Sequence, residues 1–317
     1  MTTYIGVDIG GTKIMSAVVR NDGTILESVI DPTPKEPDQI SAVIASHYQR
    51  LGEILPTGET IAGLGIATAG MVSSDLTTVR SGANISWNEY PIVERVKALI
   101  QTDIPVLVEN DANAAAWAEY KVGPFNEANP FLAVTLGTGL GGAIVISDQM
   151  VRGYNGMAAE FGHWCFMPGG VQCGCGLKGC FEQYGSGNAL GRYAREQARL
   201  RPNEAKAVIE KAGSIDKIIG NYITDLAAQG DEFSLSVLTQ LGNWIGAGMA
   251  SLANIFDPEV FVIGGGLVTA ESTLLAPIKE SFAANLVVPD HRTAPSIAFA
   301  QFGNNAGAIG AALLASP

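Results

Sequence analysis

The chain has 317 residues, of which 16% are charged and 47% hydrophobic, with 38 glycines. That length exceeds one ordinary hydrophobic core, so two domains are expected in a well-buried α/β protein. The net charge of −12 disfavours nucleic acid, a long polyphosphate and anionic membrane as partners.

The N-terminus has no basic leader, and its apolar run is broken at once by Asp8, so a secretory signal is not expected. No run of about 18 apolar residues offers a transmembrane span, and a cytoplasmic protein is the expectation. Residues 4–8 read as a strand and Gly10-Gly11-Thr12 as a tight turn; Lys13–Arg20 reads as a second strand, ended by Asn21-Asp22-Gly23. Strand, glycine turn and strand predict a hairpin. Helical periodicity covers 36–54, an apolar strand covers 60–67 and leads into Thr68-Ala69-Gly70, and 91–101 is amphipathic. Val106–Glu109 reads as a buried strand running into Asn110-Asp111-Ala112-Asn113, after which 114–120 has strong helical propensity.

The opening pattern then returns. Phe131–Leu136 is a strand, 137–142 (Gly-Thr-Gly-Leu-Gly-Gly) a glycine turn, and 143–146 a strand ended by Ser147-Asp148. Two such units about 130 residues apart predict a duplicated domain. Helical segments follow at 182–200, 205–228 and 231–254, where Asp257-Pro258 stops the last of them. Val260–Ile263 is a strand that opens onto Gly264-Gly265-Gly266, and 307–315 is a small-residue helix.

Glycine hairpins present backbone N–H groups without side-chain cover, and Thr12, Lys13 and Thr138 add donors, which suits phosphate binding. Neither hairpin is a Walker loop, and a strand rather than a helix follows 137–142, which argues against a dinucleotide fingerprint. Asp8, at the end of the first strand, can hold Mg²⁺ or its water beside a triphosphate, or can simply cap the turn. Asp111 stands where a buried strand meets a helix N-terminus. It is either an N-cap or a catalytic group, and the crowding of Glu109, Asn110 and Asn113 favours catalysis.

All four cysteines fall within residues 165–180. Cys173, Cys175 and Cys180 offer three thiolates on a glycine-rich knuckle, and His163 can complete a tetrahedral zinc site. A disulfide with spare thiols is the alternative reading. Cys165, between Trp164 and Phe166, reads as a buried apolar thiol.

Five ordered motifs carry a resemblance: Asp8-Ile-Gly-Gly-Thr-Lys13, Glu109-Asn-Asp-Ala-Asn113, Leu136–Gly142, Glu160-Phe-Gly-His163, and Cys173-x-Cys175-x₄-Cys180-x-Glu182. Together they resemble the ROK (repressor, open reading frame, kinase) sugar kinases, and among them the bacterial ATP-dependent glucokinases. The resemblance implies an actin-like ATPase fold of the sugar kinase/Hsp70 type, with two related α/β domains around a cleft. Residues 1–112 would form the first domain, 113–303 the second with the zinc knuckle, and the helix at about 304–317 would pack back on the first. It further implies Asp111 as the catalytic base, and Gly70, Asn84, Asn110, Asp111, Glu160, His163 and Glu182 as sugar ligands. ATP and Mg²⁺ would be held through Asp8, Gly10, Gly11, Thr12, Lys13, Gly137, Thr138, Gly139, Gly264, Gly265 and Gly266. A structural zinc would sit on His163, Cys173, Cys175 and Cys180.

The implied reaction is phosphorylation of glucose by ATP at the 6-hydroxyl, by a homodimer or higher homo-oligomer. N-acetylmannosamine or N-acetylglucosamine kinase is the alternative within enzymes. A sugar-responsive repressor of the same core is disfavoured, because the phosphate motif begins at Gly6 with no DNA-binding domain ahead of it.

Overall fold

The computed structural model describes residues 2–82 and 85–316. Its first sheet opens as an antiparallel meander of β1 (Thr2–Ile9), β2 (Lys13–Arg20) and β3 (Ile25–Pro32). The third strand was not apparent in the sequence. It is an edge strand whose Glu27, Ser28 and Asp31 interrupt any apolar pattern. After α1 (Pro37–Glu53), β4 (Thr60–Thr68) pairs parallel with β1. A small second sheet of β5 (Met71–Val72), β6 (Val79–Ser81) and β7 (Asn88–Tyr90) then precedes α2 (Ile92–Ile100). Next, β8 (Val106–Asn110) pairs parallel with β4 and passes without a loop into α3 (Asp111–Val122). The strand order is β3-β2-β1-β4-β8.

Another five-stranded sheet contains β9 (Phe131–Leu136), β10 (Leu140–Ile146) and β11 (Gln149–Met150), with β12 (Val260–Gly264) and β13 (Ser296–Phe299). Its order is β11-β10-β9-β12-β13. Read from the meander edge, both sheets run third, second, first, fourth and last strand, so the repeat seen in the glycine hairpins extends to topology. The expected helix over 182–200 is a single turn, α4 (Glu182–Gly185), followed by α5 (Gly187–Leu200). The break is Ser186, whose hydroxyl caps the Ala189 amide. The stretch 205–228 is likewise two helices, α6 (Lys206–Ala212) and α7 (Gly220–Ala227), because Gly213 adopts the left-handed conformation that ends a helix. The long α8 (Glu232–Phe256) precedes β12, and α9 (Glu271–Asn285) follows it. The chain closes with α10 (Ala306–Leu314).

The chain divides into two compact units, one of residues 1–131, 143–159 and 301–317, the other of 132–142 and 160–300. The boundary expected at 112 falls inside the first unit, because α3 packs along α10 and stays with it. In that unit the sheet is covered on both faces. Ile5, Val7 and Ile9 of β1 share a core with Ile40, Ile44, Ile92 and Val96, whereas Tyr4 faces Ala118, Ile309 and Leu313. Each such buried aliphatic side chain contributes about 1.5–3 kcal/mol.

The C-terminal helix lies unusually close to its neighbours. A Cβ at Gly6 would stand 1.7 Å from the Ala308 carbonyl oxygen, and one at Gly310 would stand 1.6 Å from that of Ala114. This bare contact lets the first turn of α10 reach Asp8: a Cβ on Gly307 would lie 2.8 Å from the carboxylate.

Candidate active site and metal centre

In the first unit the C-terminal ends of the parallel strands carry the candidate residues, where open α/β sheets generally place a site. Asp8 on β1 is in register with Ala67 on β4, and Ala67 with Glu109 on β8. Asn110, not Asp111, caps α3. Its Oδ1 accepts from the amides of Ala112 at 2.9 Å and Asn113 at 3.2 Å, and its Nδ2 donates to the Gly70 carbonyl at 3.1 Å. Three of the four hydrogen bonds available to the Asn110 amide are therefore committed, leaving one N–H for a ligand. Asp111 accepts from the Ala112 amide through Oδ1 at 3.0 Å, and Oδ2 has no protein partner among the described residues. Burial raises the Asp111 carboxyl above its ordinary value, against the Ala112 amide, which lowers it.

Glu109 is almost fully buried and uses both oxygens. Oε1 accepts from the Asn110 amide at 2.9 Å and from Nδ2 of Asn113 at 3.0 Å; Oε2 accepts from Nε of Arg152 at 2.7 Å. Arg152 was not singled out in the sequence, where one arginine between β11 and a glycine-rich loop gives no signal. Asp8 is partly buried beside the start of α10. Burial and then the Asp111 charge raise its pKa to about 6, against the lowering influence of Lys13.

The first glycine hairpin is braced from β3. The Gly10 amide donates to the Lys13 carbonyl at 3.0 Å, the Thr33 hydroxyl donates to the Gly10 carbonyl at 2.6 Å, and the Thr33 amide donates to the Thr12 carbonyl at 3.1 Å. Gly11, Thr12 and Lys13 are left exposed. Thr33 is another residue the sequence did not reveal. Gly70 packs against the small sheet, where a Cβ would come within 2.4 Å of the Ser81 carbonyl oxygen. Trp87 is buried and packs on Tyr90 at a centroid distance of 5.6 Å. Asn84 lies outside the described residues.

In the second unit the turn at Gly137, Thr138 and Gly139 is held by the start of α5. The Gly187 amide donates to the Gly137 carbonyl at 2.8 Å and the Asn188 amide to that of Thr138 at 3.3 Å. Glu182 reaches the same turn, with Oε2 accepting from the Leu140 amide at 3.2 Å. A Cβ on Gly139 would fall 2.2 Å from that oxygen. Gly265, at φ +89°, abuts the Leu136 carbonyl, whereas Gly266 opens on free space. Val268, Thr269, Glu271, Ser272, Leu275 and Lys279 line a shallow, open groove of about 620 Å³ next to it.

His163, Cys173, Cys175 and Cys180 offer four ligand atoms that all lie within 4.8 Å of one another. Nδ1 of His163 is 3.8 Å from Sγ of Cys173, and the Cys175 and Cys180 sulfurs are 3.6 Å apart. Those spacings fit the edges of a tetrahedron around an ion with metal–sulfur bonds of about 2.3 Å, so the set suits zinc. The sulfurs are free thiols, and a disulfide-bonded S–S distance of about 2.0 Å is not what the knuckle holds. With Nδ1 turned to the thiols, Nε2 of His163 is the nitrogen left for other work. Glu182 Oε1 lies 3.7 Å from Cys173 Sγ, and the Glu160 carbonyl accepts from the His163 amide at 3.0 Å. Cys165 is exposed. The expected buried thiol is not found, because Trp164, Phe166 and Phe181 pack on one another and leave Cys165 on the outer side.

The model of the ROK family matches residues 4–317. The chain belongs to the ROK family. Its fold is accordingly the actin-like ATPase fold. This ROK chain is 44% identical over 316 residues to the glucokinase of Streptomyces coelicolor, covering 99% of this chain and 98% of that protein. It is 29% identical to the N-acetylmannosamine kinase of Yersinia pseudotuberculosis, covering 98% and 97%. Among solved structures it is similar to a ROK family glucokinase from Streptomyces griseus in complex with glucose and AMPPNP. That likeness has a TM-score of 0.84 and 41% identity, and covers 98% of each chain. Among the described residues no helix is long and apolar enough to cross a membrane.

Proposed function

We propose that this chain is an ATP-dependent glucokinase that transfers the γ-phosphoryl group of ATP to the 6-hydroxyl of glucose. One observation carries the reading. Asp111 sits at the end of a buried strand with its carboxyl raised by burial, while its neighbour Asn110 has taken over the capping of α3. A carboxylate released from structural duty can accept the proton of a sugar hydroxyl as that oxygen attacks phosphorus, and a raised pKa makes it a better acceptor. The full-length similarity to glucokinases supports the same substrate pair.

The remaining residues position and neutralise, which is most of what phosphoryl transfer requires. The exposed donors of Gly11, Thr12 and Lys13, with Gly137, Thr138 and Gly139, would bind phosphate oxygens, and Gly264 to Gly266 with the adjoining groove would take the nucleoside. Asp8 is the group that would hold Mg²⁺ or its water, and the ion when bound supplies charge neutralisation to the phosphates. Glu160, Glu182 and Nε2 of His163 would bind sugar hydroxyls in the second unit, and Asn110, Gly70 and Asn84 in the first. Zinc on His163, Cys173, Cys175 and Cys180 would be structural, fixing the ring of His163 through Nδ1. The proposed setting is a homodimer in the cytoplasm, where reducing conditions keep such a thiol set ready for metal.

A coupled ADP-release assay with glucose, mannose, N-acetylglucosamine and N-acetylmannosamine tests the reading. Glucose is expected to lead both N-acetyl sugars by at least about 100-fold in kcat/KM, since an acetamido group must clash or strand polar groups in a glucose-shaped site. Equal rates would move the chain to the amino-sugar kinases.

A further inference from the structure

We infer that Arg152 is a positioning residue for the proton acceptor, acting through the buried carboxylate of Glu109; this rests on the kinase reading given above. Glu109 immediately precedes the catalytic turn, and its side chain is 3% exposed. Its Oε1 holds the backbone amide of Asn110 and the side chain of Asn113, one residue before and two after Asp111. The carboxylate therefore braces both flanks of Asp111 without touching it.

A carboxylate so buried is costly unless its oxygens are paired and hydrogen-bonded. Arg152 supplies the partner, with Nε 2.7 Å from Oε2 and the Arg152 side chain 26% exposed. The arginine is itself fixed by its backbone. Its carbonyl accepts from the Ala158 amide at 2.9 Å, and the preceding Val151 amide donates to the Ile144 carbonyl at 2.9 Å. The loop from Arg152 to Ala158 is also packed tightly within the first unit: a Cβ on Gly156 would stand 2.4 Å from the Val72 carbonyl oxygen. The loop thus fixes the backbone that carries Arg152, and Glu109 Oε2 fixes its Nε. Removing the guanidinium leaves Oε2 buried without its partner, a costly loss for a polar atom away from water. A carboxylate that must re-seat loosens the turn that aims Asp111, and a small misplacement of a reacting group is costly in rate.

The test compares wild type, Arg152→Met, Glu109→Gln and the double variant by kcat, glucose KM and amide exchange at 110–113. Arg152→Met is expected to lower kcat by about 30-fold or more with KM within about threefold, the signature of a group needed in the transition state. Exchange at 110–113 should quicken. The double variant, which leaves no unpaired buried charge, should recover at least about fivefold of the lost kcat while staying below wild type. A general structural role would instead lower the folded fraction and leave the kcat of the folded enzyme alone. A folded Arg152→Met with kcat within about threefold of wild type overturns the inference. Should that variant not fold, the double variant decides: reduced kcat at unchanged KM supports the inference, and wild-type kcat overturns it. A wild type that phosphorylates no hexose would sink the kinase reading. The exchange measurement needs no substrate and would still report whether Arg152 holds the turn.

Discussion

Asp111 raises the carboxyl of Asp8: burial first and the Asp111 charge second bring Asp8 to about 6 from an ordinary 3.8. Two helix starts meet these groups, α3 at Asp111 and α10 beside Asp8, and N-terminal dipoles help the anionic forms. Burial nonetheless prevails at Asp8. A site that accumulates negative charge where phosphates and a cation are proposed to bind is working against its own fold in the empty state.

That conflict has a measurable sign. The folded pKa of Asp8 lies above the unfolded one, so ionising it destabilises the native state. The cost is absent below about 3.8, grows as pH rises to about 6, and is complete above that. Asp8→Asn should therefore raise Tm at pH 7.5 without nucleotide or Mg²⁺, and the gain should shrink as pH falls through 6 toward 4. A gain that is independent of pH would mean that packing, not charge, separates the two proteins.

Replacing Asp111 by Ala should lower kcat at least about 100-fold while glucose binding stays within about tenfold, because the acceptor is needed mainly in the transition state. In the wild type, kcat/KM should fall as pH drops through the raised pKa of this carboxyl, so the acid limb should lie above the ordinary carboxylate range. If Asp111→Ala keeps kcat within about fivefold, the base is another group.

The strands and turns that carry the phosphate and acceptor motifs were legible because apolar runs end abruptly in Gly or in Asn-Asp, a local signal. The candidate metal set was legible for the same reason: four possible ligands lie within residues 163–180. What escaped was either edge structure or partnership. The polar pattern of β3 resembles a loop, and Thr33, which braces the first hairpin, lies beyond it in the chain. Arg152 and Glu109 are 43 residues apart, and nothing in either neighbourhood names the other. The division of labour between Asn110 and Asp111 was likewise invisible, since either residue type can cap a helix.

Gly139→Ala tests whether the second hairpin and Glu182, proposed above as a sugar ligand, are tied together. The new Cβ would meet Glu182 Oε2 at 2.2 Å, too close to coexist, so the carboxylate must swing away from the Leu140 amide. Glucose KM should rise by about tenfold if Glu182 accepts from a sugar hydroxyl as proposed. The same substitution at Gly266, where nothing lies within 4 Å, should leave Tm unchanged. An unaltered glucose KM in Gly139→Ala would remove Glu182 from the sugar site or show that it adapts freely.

The metal set offers the strictest test of how structure and binding are joined. Nδ1 of His163 faces the thiol of Cys173, so a bound ion would fix the tautomer and orientation of the ring, with Nε2 left to donate to a sugar hydroxyl. Glu182 opens α4 two residues beyond Cys180. Cys175 is the exposed member of the set and contacts Cys180, so Cys175→Ser changes the ligands without opening a core. Purified wild type should carry about one zinc per chain, and Cys175→Ser should lose most of it. Because metal binding and local folding are linked, the variant should raise glucose KM even though its thiol is not among the residues assigned to the sugar, and ATP KM should move less. A zinc-free wild type with full activity, or a Cys175→Ser protein that loses zinc and keeps its glucose KM, would reduce the four ligands to bystanders of the reaction.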